Sequence, residues 1–85
     1  MRPVQIACQL RFYPLGVENY EQEISHVLEL IAGSGLHVEI GPMSTVIRGE
    51  AGAVLGLIGQ IIDLQAERHM GYSMNMTLSN ICGCA

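Results

Sequence analysis

The sequence predicts an α+β fold in which strands and helices follow one another in the order βαββαβ. Four segments alternate apolar and polar residues with a period of two, as half-buried strands do, and two segments repeat apolar residues at helical spacing. The chain has 85 residues, 49% of them hydrophobic and 14% charged, which is enough for one core and too little for two. We therefore expect a single domain over residues 1–85.

The first strand and the first helix are predicted from the N-terminal third of the chain. Residues 4–13 alternate, with Cys8 and Leu10 on one face and Gln9 and Arg11 on the other. Pro-Leu-Gly at 14–16 predicts the end of this strand. Apolar residues then recur at helical spacing over residues 20–31, and Gly-Ser-Gly at 33–35 predicts the end of the helix.

The rest of the chain supplies a hairpin, a helix and a last strand. Residues 36–40 and 44–50 alternate on either side of a Gly-Pro-Met turn, which predicts two antiparallel strands. The second helix is predicted from four apolar residues at helical spacing: Val54, Leu57, Ile58 and Ile61. Residues 70–81 alternate again and predict the fourth strand.

Right-handed crossovers arrange these elements as a ferredoxin-like sandwich, with sheet order 4-1-3-2 and both helices on one face. We expect the helices to cover Ile6, Cys8, Leu10, Met74, Met76 and Leu78. The opposite face then collects Gln9, Arg11, His37, Glu39, Ser44, Arg48, Asn75, Thr77 and Ser79. Amide and hydroxyl side chains offer donors and acceptors at low desolvation cost, so this face suits a partner sheet with a flat polar ligand held between.

Charge and hydropathy exclude several classes of function. The chain has no lysine and a net charge of -4, which argues against binding to nucleic acid. Gln5, Gln9 and Arg11 interrupt the N-terminal segment, so no secretory signal is predicted and a cytoplasmic location is expected. The longest apolar run, residues 51–62, is too short to span a membrane.

The titratable residues do not suggest catalysis or metal binding. The three histidines and three cysteines lack metal-ligand spacing, and Cys82 and Cys84 alone provide too few ligands. We expect free thiols. No nucleophile stands beside a base and no pair of carboxylates is suggested, so we expect neither an enzyme nor a cofactor.

Three stretches resemble a known family: CQLRFYPLG at 8–16, MSTVIRGE at 43–50 and MNMTLSNIC at 74–82. With the βαββαβ order, they make the chain similar to the YkoF-type family, which binds thiamine and hydroxymethylpyrimidine, and to related small thiamine-binding proteins. The resemblance implies ferredoxin-like domains whose open sheet faces pack together and bind the pyrimidine part of thiamine without catalysis. It implies a role in thiamine precursor salvage or transport.

The ligand-binding residues that the resemblance implies are Gln9, Tyr13, Ser44, Thr45, Arg48, Asn75, Thr77 and Ser79. Thr45 has the opposite parity to Arg48 and reaches the ligand only if the turn after Met43 is irregular. Gln9, Arg48 and Asn75 are expected to converge, although Arg48 has the alternative of pairing with Glu39 or Glu50.

Two departures from the family pattern affect the expected site. Tandem members of the family carry two such domains, whereas this chain has one, so the second sheet must come from another subunit of a homo-oligomer, a dimer or a tetramer. The ending Cys82-Gly-Cys84 also differs from the Cys-Pro-Gly ending that the family implies.

Two alternatives share the predicted topology. An ACT-like regulatory module would bind an amino acid at a subunit interface, and only the ligand distinguishes it from a thiamine-binding protein. An RNA-binding module would expose aromatic residues on strands 1 and 3. It is disfavoured because strand 3 has none and Phe12 points to the core.

Overall fold

A computed structural model describes residues 4–16, 18–41 and 44–80 of the chain. Within them the chain forms β1 (Gln5–Leu15), α1 (Tyr20–Ala32), β2 (His37–Ile40), β3 (Thr45–Glu50), α2 (Ala51–Glu67) and β4 (Gly71–Ser79). The sheet is antiparallel with order β2-β3-β1-β4, which is the predicted order read from the other edge. The ferredoxin-like α+β fold is confirmed. The predictions for Cys82, Cys84 and the turn at residues 42–43 lie outside the described residues.

The first strand is longer than predicted, because it continues through Pro14 to Leu15. Its pairing with β3 ends at Leu10, whereas its pairing with β4 continues to Leu15. The last part of β1 therefore has a neighbour on one side only, and an edge of this kind accommodates proline, which has no N–H to donate. Gly16 follows with a φ of 70°, a left-handed conformation that favours glycine, and ends the strand.

The first helix has the predicted limits and a well-defined end. Val27 and Ile31 are buried on one side of α1, four residues apart, as the helical spacing predicts. At its C-terminal end the Ser34 hydroxyl donates to the carbonyl oxygen of Ile31 at 2.6 Å. Gly35 then takes a φ of 80°, which lets the chain turn into β2.

The second helix begins at a side-chain cap and buries one apolar stripe. The Glu50 carboxylate accepts a hydrogen bond from the Ala53 N–H at 3.1 Å, which satisfies one of the free donors at the start of α2. The buried core lies between the helices and the sheet, and its members are Cys8, Leu10, Val27, Ile31, Ile47, Val54, Leu57, Ile58 and Ile61.

The helices cover the side chains of β4 only in part. Met76 and Leu78 lie on the helix side of the sheet, yet they are 42% and 49% exposed. The reason is the lateral position of α2, which packs on β3 and β1. The prediction that the helices cover both side chains was wrong. Among the described residues, no helix is both long and apolar enough to cross a membrane.

An ion pair joins the two helices. Arg68 donates from Nε to Oε2 of Glu23 at 3.1 Å and from Nη2 to Oε1 at 2.7 Å. The hydrogen bonds from Arg68 hold the pKa of Glu23 below its ordinary value and raise the pKa of Arg68. The ion pair thus ties α1 to the end of α2 on one side of the sheet, and in the described parts of the chain the other side carries no helix.

Candidate functional site

The face of the sheet turned away from the helices carries the predicted polar side chains; we call it the open face. The strand register arranges it in rows across the sheet. Gln9 is opposite Val46 on one side and Thr77 on the other. The next rows pair Arg11 with Asn75 and Tyr13 with Ser73. On the other side of the Gln9 row, Ala7 lies between Arg48 and Ser79.

Seven of the eight predicted ligand-binding residues belong to this face: Gln9, Tyr13, Ser44, Arg48, Asn75, Thr77 and Ser79. Period-two alternation is the reason, because it assigns every second side chain of a strand to the same side.

One hydrogen bond already connects two of these side chains. The Gln9 side-chain amide donates from Nε2 to the hydroxyl oxygen of Ser44 at 3.2 Å. This bond leaves the Gln9 carbonyl oxygen and the Ser44 hydroxyl hydrogen for another partner. Asn75 lies one row away on β4 and is exposed. The three side chains present both amide and hydroxyl groups to the same region of the open face.

Arg48 belongs to a different part of the face. Its Nη1 atom is 3.0 Å from Oε1 of Glu39, and His37 Nε2 is 3.6 Å from the same oxygen. Arg48 pairs with Ala7 in the register, whereas Asn75 pairs with Arg11, four residues further along β1. Four strand residues span about 13 Å, so Arg48 and Asn75 do not converge as expected. The alternative pairing of Arg48 with Glu39 is the one that the structure shows.

Thr45 does not belong to the open face. It is paired with Leu10 and Ile40, both on the helix side, and is 8% exposed. The strand pairing is regular at this position, so the parity of Thr45 is kept and its side chain is directed to the helices. There it lines a cavity of about 290 Å³ between α1 and the end of the sheet. The other residues that line this cavity are Leu10, Arg11, Phe12, Tyr13, Ile24, Val27, Leu28, Ile31, Ile40, Gly41 and Ser44. The structure therefore does not bring Thr45 together with the other seven predicted ligand-binding residues.

Arg11 and Ser73 are polar open-face residues near Asn75 that were not among the predicted ligand-binding residues. Arg11 is exposed, lies directly opposite Asn75, and has no carboxylate partner among the residues described. Ser73 is exposed opposite Tyr13. The alternation of β1 and β4 was the signal for both, but the sequence did not reveal that Arg11 lacks an ion-pair partner.

The chemistry of the open face is that of hydrogen bonding with little net charge. Arg48 and Glu39 offset each other, and Glu50 is directed to the start of α2, where it caps the helix. In the described parts of the chain, no group of three or more His, Cys, Asp or Glu side chains gathers in a way that would hold a metal ion. The arrangement is suited to recognising the polar edge of a neutral ring.

Solved structures share this fold at low sequence identity. A candidate thiamine biosynthesis/salvage protein from Thermotoga maritima superposes with a TM-score of 0.80 at 18% identity, covering 93% of this chain and 86% of that protein. A domain of unknown function from Bacillus cereus gives 0.80 at 15% identity, with coverage of 91% and 76%. A hypothetical protein from Methanocaldococcus jannascii gives 0.77 at 16% identity, with coverage of 89% and 79%.

No curated protein matches the chain in sequence. A family model does match, and it covers the strands, both helices and the open face. Since the match to the YKOF-related family extends over residues 5–84, the chain belongs to the YKOF-related family.

Proposed function

We propose that this protein binds thiamine or its hydroxymethylpyrimidine moiety without catalysing a reaction, and that it acts in thiamine precursor salvage or transport. Membership of the YKOF-related family supports the proposal. A similar fold is found in the Thermotoga maritima protein whose name refers to thiamine biosynthesis and salvage. The cytoplasmic location stays a prediction.

The observation that carries the proposal is the Gln9–Ser44 hydrogen bond, one row from Asn75 on a face with little net charge. An aminopyrimidine has ring nitrogens that accept and an exocyclic amine that donates. A carboxamide side chain carries one acceptor and one donor group at matching spacing, so Gln9 and Asn75 are suited to this edge. Thr77 is opposite Gln9 and adds a hydroxyl.

Charges on either side of Gln9 orient the ligand. Arg11, beside Asn75, disfavours a cation at that end. In the other direction the Gln9 row continues through Val46 to Glu39, two strand spacings or about 10 Å away. The thiazolium cation of thiamine should therefore lie away from Arg11, on the Glu39 side of the face, where Arg48 already offsets the charge of Glu39, with the pyrimidine ring over β1 and β4. The net charge of -4 favours the approach of this cation.

A second subunit completes the proposed site. The open face would be solvated on one side in a single copy, whereas a hydrogen bond to a ligand is strengthened when water is excluded. Stacking the open faces of two copies at about 10 Å excludes water, and a flat ring fits between them where the facing side chains are short, as at Ala7, Ser44 and Thr77. The assembly is a homo-oligomer, a dimer or a tetramer, built on sheet faces.

Calorimetric titration tests the proposal. The protein is titrated with hydroxymethylpyrimidine, thiamine, thiamine phosphates and a panel of amino acids. We expect saturable binding of the pyrimidine compounds and none of the amino acids. Binding of an amino acid without binding of any pyrimidine would support the ACT-like regulatory module, and a wild-type protein that binds no compound of either class would contradict the proposal.

A further inference from the structure

The arginines of the described residues differ in their partners. Arg48 pairs with Glu39, and Arg68 pairs with Glu23. Arg11 is exposed in β1, and in the described parts of the chain no carboxylate forms an ion pair with it. All eight acidic residues of the chain lie in those parts. The open face therefore carries a positive charge that no acidic side chain offsets.

The neighbours of Arg11 along β1 and β4 are uncharged and carry hydrogen-bond donors. Asn75 is directly opposite Arg11, and Tyr13 and Ser73 form the next row of the open face. An amide and two hydroxyl groups can each donate to an oxygen anion. A guanidinium group binds a phosphoryl group through two parallel N–H···O bonds, so a guanidinium among such donors is suited to a phosphoryl group.

The sheet is narrower at Arg11 than at Gln9. β1 and β3 pair as far as Leu10 and Thr45, and continuing their register by one residue brings Ser44 beside Arg11. The Ser44 hydroxyl accepts from Gln9 and keeps its own hydrogen to donate. A group that binds at Arg11 therefore meets a donor on each side, the hydroxyl that precedes β3 and the amide on β4.

The charges of the surroundings favour an anion at Arg11 only at short range. Glu39 lies two strands away, in the row of Gln9 and not in that of Arg11, and Arg48 offsets it. The net charge of -4 opposes the approach of an anion. Salt at 0.1 M screens that field over about 10 Å, whereas a guanidinium in contact with its ligand is screened much less.

We infer that Arg11 binds the phosphoryl group of a phosphate monoester, and that the preferred ligand of the open face is hydroxymethylpyrimidine phosphorylated on its hydroxymethyl oxygen. The inference rests on the proposed function, since it takes the pyrimidine ring to lie over Gln9 and Asn75. Gln9 and Arg11 are two strand residues apart, about 7 Å. This separation is within reach of a phosphoryl group that one methylene joins to the ring.

The phosphate ester and thiamine should bind in opposite directions. Both carry their substituent on the same ring carbon, but that of thiamine is a cation, which Arg11 repels, and that of the ester is an anion, which Arg11 attracts. Gln9 and Asn75 each carry a donor and an acceptor, so the two carboxamides can exchange roles when the ring is reversed. The carboxamides thus recognise the ring, and Arg11 selects the charge of its substituent.

Calorimetric titration of the wild type and Arg11→Gln with hydroxymethylpyrimidine and its phosphate tests the inference. We expect the wild type to bind the phosphate about 10- to 150-fold more tightly than the free alcohol, since the added hydrogen bonds join charged groups. Arg11→Gln should lose this preference and keep its affinity for the free alcohol. Gln60→Glu lowers the net charge by the same amount at an exposed position of α2 and should keep the wild-type preference.

Arg11→Lys separates the charge of the side chain from its geometry. It keeps the charge but not the two parallel donors, so its preference for the phosphate should fall between those of the wild type and Arg11→Gln. It also takes the place of Arg11→Gln if that variant does not fold, or does not show the wild-type mass in sedimentation.

The outcomes distinguish this inference from the proposed function. Equal affinity of the wild type for the alcohol and its phosphate, or an unchanged preference in Arg11→Gln, would overturn the inference and leave the proposed function standing. Inorganic phosphate that binds as tightly as the ester would also overturn the inference, because the pyrimidine would then add nothing. A wild type that binds neither pyrimidine compound would contradict the proposed function itself.

Discussion

The side-chain amide of Gln9 in β1 donates to the hydroxyl of Ser44, just before β3, at 3.2 Å. The bond links β1 to the residue that precedes β3 on the open face and restrains the orientation of the Gln9 amide. A carboxamide that is already oriented loses less conformational freedom when a ligand binds. In the proposed complex, the carbonyl oxygen of Gln9 would accept a hydrogen bond from the exocyclic amine of the pyrimidine.

Removal of the Ser44 hydroxyl should weaken ligand binding through Gln9. Ser44→Ala leaves the Gln9 amide without its acceptor, and we expect the affinity for hydroxymethylpyrimidine to fall roughly 2- to 12-fold, about 0.5–1.5 kcal/mol. Calorimetric titration measures the change. Ser25→Ala, at an exposed position of α1, is the matched control and should bind like the wild type. Equal affinity of Ser44→Ala and the control would show that the Gln9–Ser44 bond has no part in binding.

A bulky charge at the centre of the open face should separate stacked sheets. Ala7 is half-buried between Arg48 and Ser79, so Ala7→Arg adds a second guanidinium beside Arg48 and leaves the core unchanged. We expect sedimentation to show an assembly of half the wild-type mass. Ser25→Arg introduces the same side chain at an exposed position of α1 and should keep the wild-type mass. A wild-type protein that is monomeric at tens of micromolar would contradict assembly through the open face.

The ion pair between Glu23 and Arg68 should make the stability of the fold depend on pH in the acidic range. Because hydrogen bonds from Arg68 lower the pKa of Glu23, the stabilisation is fully present above the ordinary Glu pKa of 4.5 and is lost as the pH falls through the lowered pKa. We expect Glu23→Gln to lower the Tm at pH 7. We expect the difference in Tm between this variant and the wild type to shrink as the pH falls below 4.5. Glu29→Gln, at an exposed position of α1, is the control. A Tm difference that is the same at pH 3 and pH 7 would contradict this role for Glu23.

Cys8 should resist alkylation in the folded protein. It is fully buried in β1, and burial raises the pKa of its thiol, so the reactive thiolate is rare as well as shielded. We expect iodoacetamide at pH 8 to leave Cys8 unmodified in the native protein and to modify it in guanidinium chloride, as measured on its peptide by mass spectrometry. Equally fast modification in both states would show that β1 is open in the native protein.

The order of the elements was predictable from the sequence because it follows from periodicity and the handedness of crossovers. The exposure of Met76 and Leu78 was not, because parity assigns a side chain to a face but does not say how far α2 extends across the sheet. The end of β1 was also predicted too early. Pro14 is compatible with a strand there only because β3 has already ended, a fact of pairing that is not local in sequence.

The sequence predicts which face of the sheet each site residue belongs to, but it does not predict which of these residues lie next to one another. Alternation assigned Gln9, Asn75 and Thr77 correctly to the open face. The distance between Arg48 and Asn75 depends on the register of two strand pairs, which the sequence pattern leaves undetermined. Thr45 was included by resemblance against its parity, and its regular pairing in β3 directs it to the helices.

Titration of Asn75→Leu with hydroxymethylpyrimidine shows whether a pyrimidine binds over Gln9 and Asn75. The substitution leaves the polar edge of the ligand unpaired, so we expect affinity to fall by about 1–3 kcal/mol, roughly 5- to 150-fold. Asn80→Leu makes the same chemical change just beyond β4 and should bind like the wild type, provided that sedimentation shows the same oligomer for all three proteins. Unchanged affinity in Asn75→Leu would place the ligand away from Asn75 and overturn the proposed site.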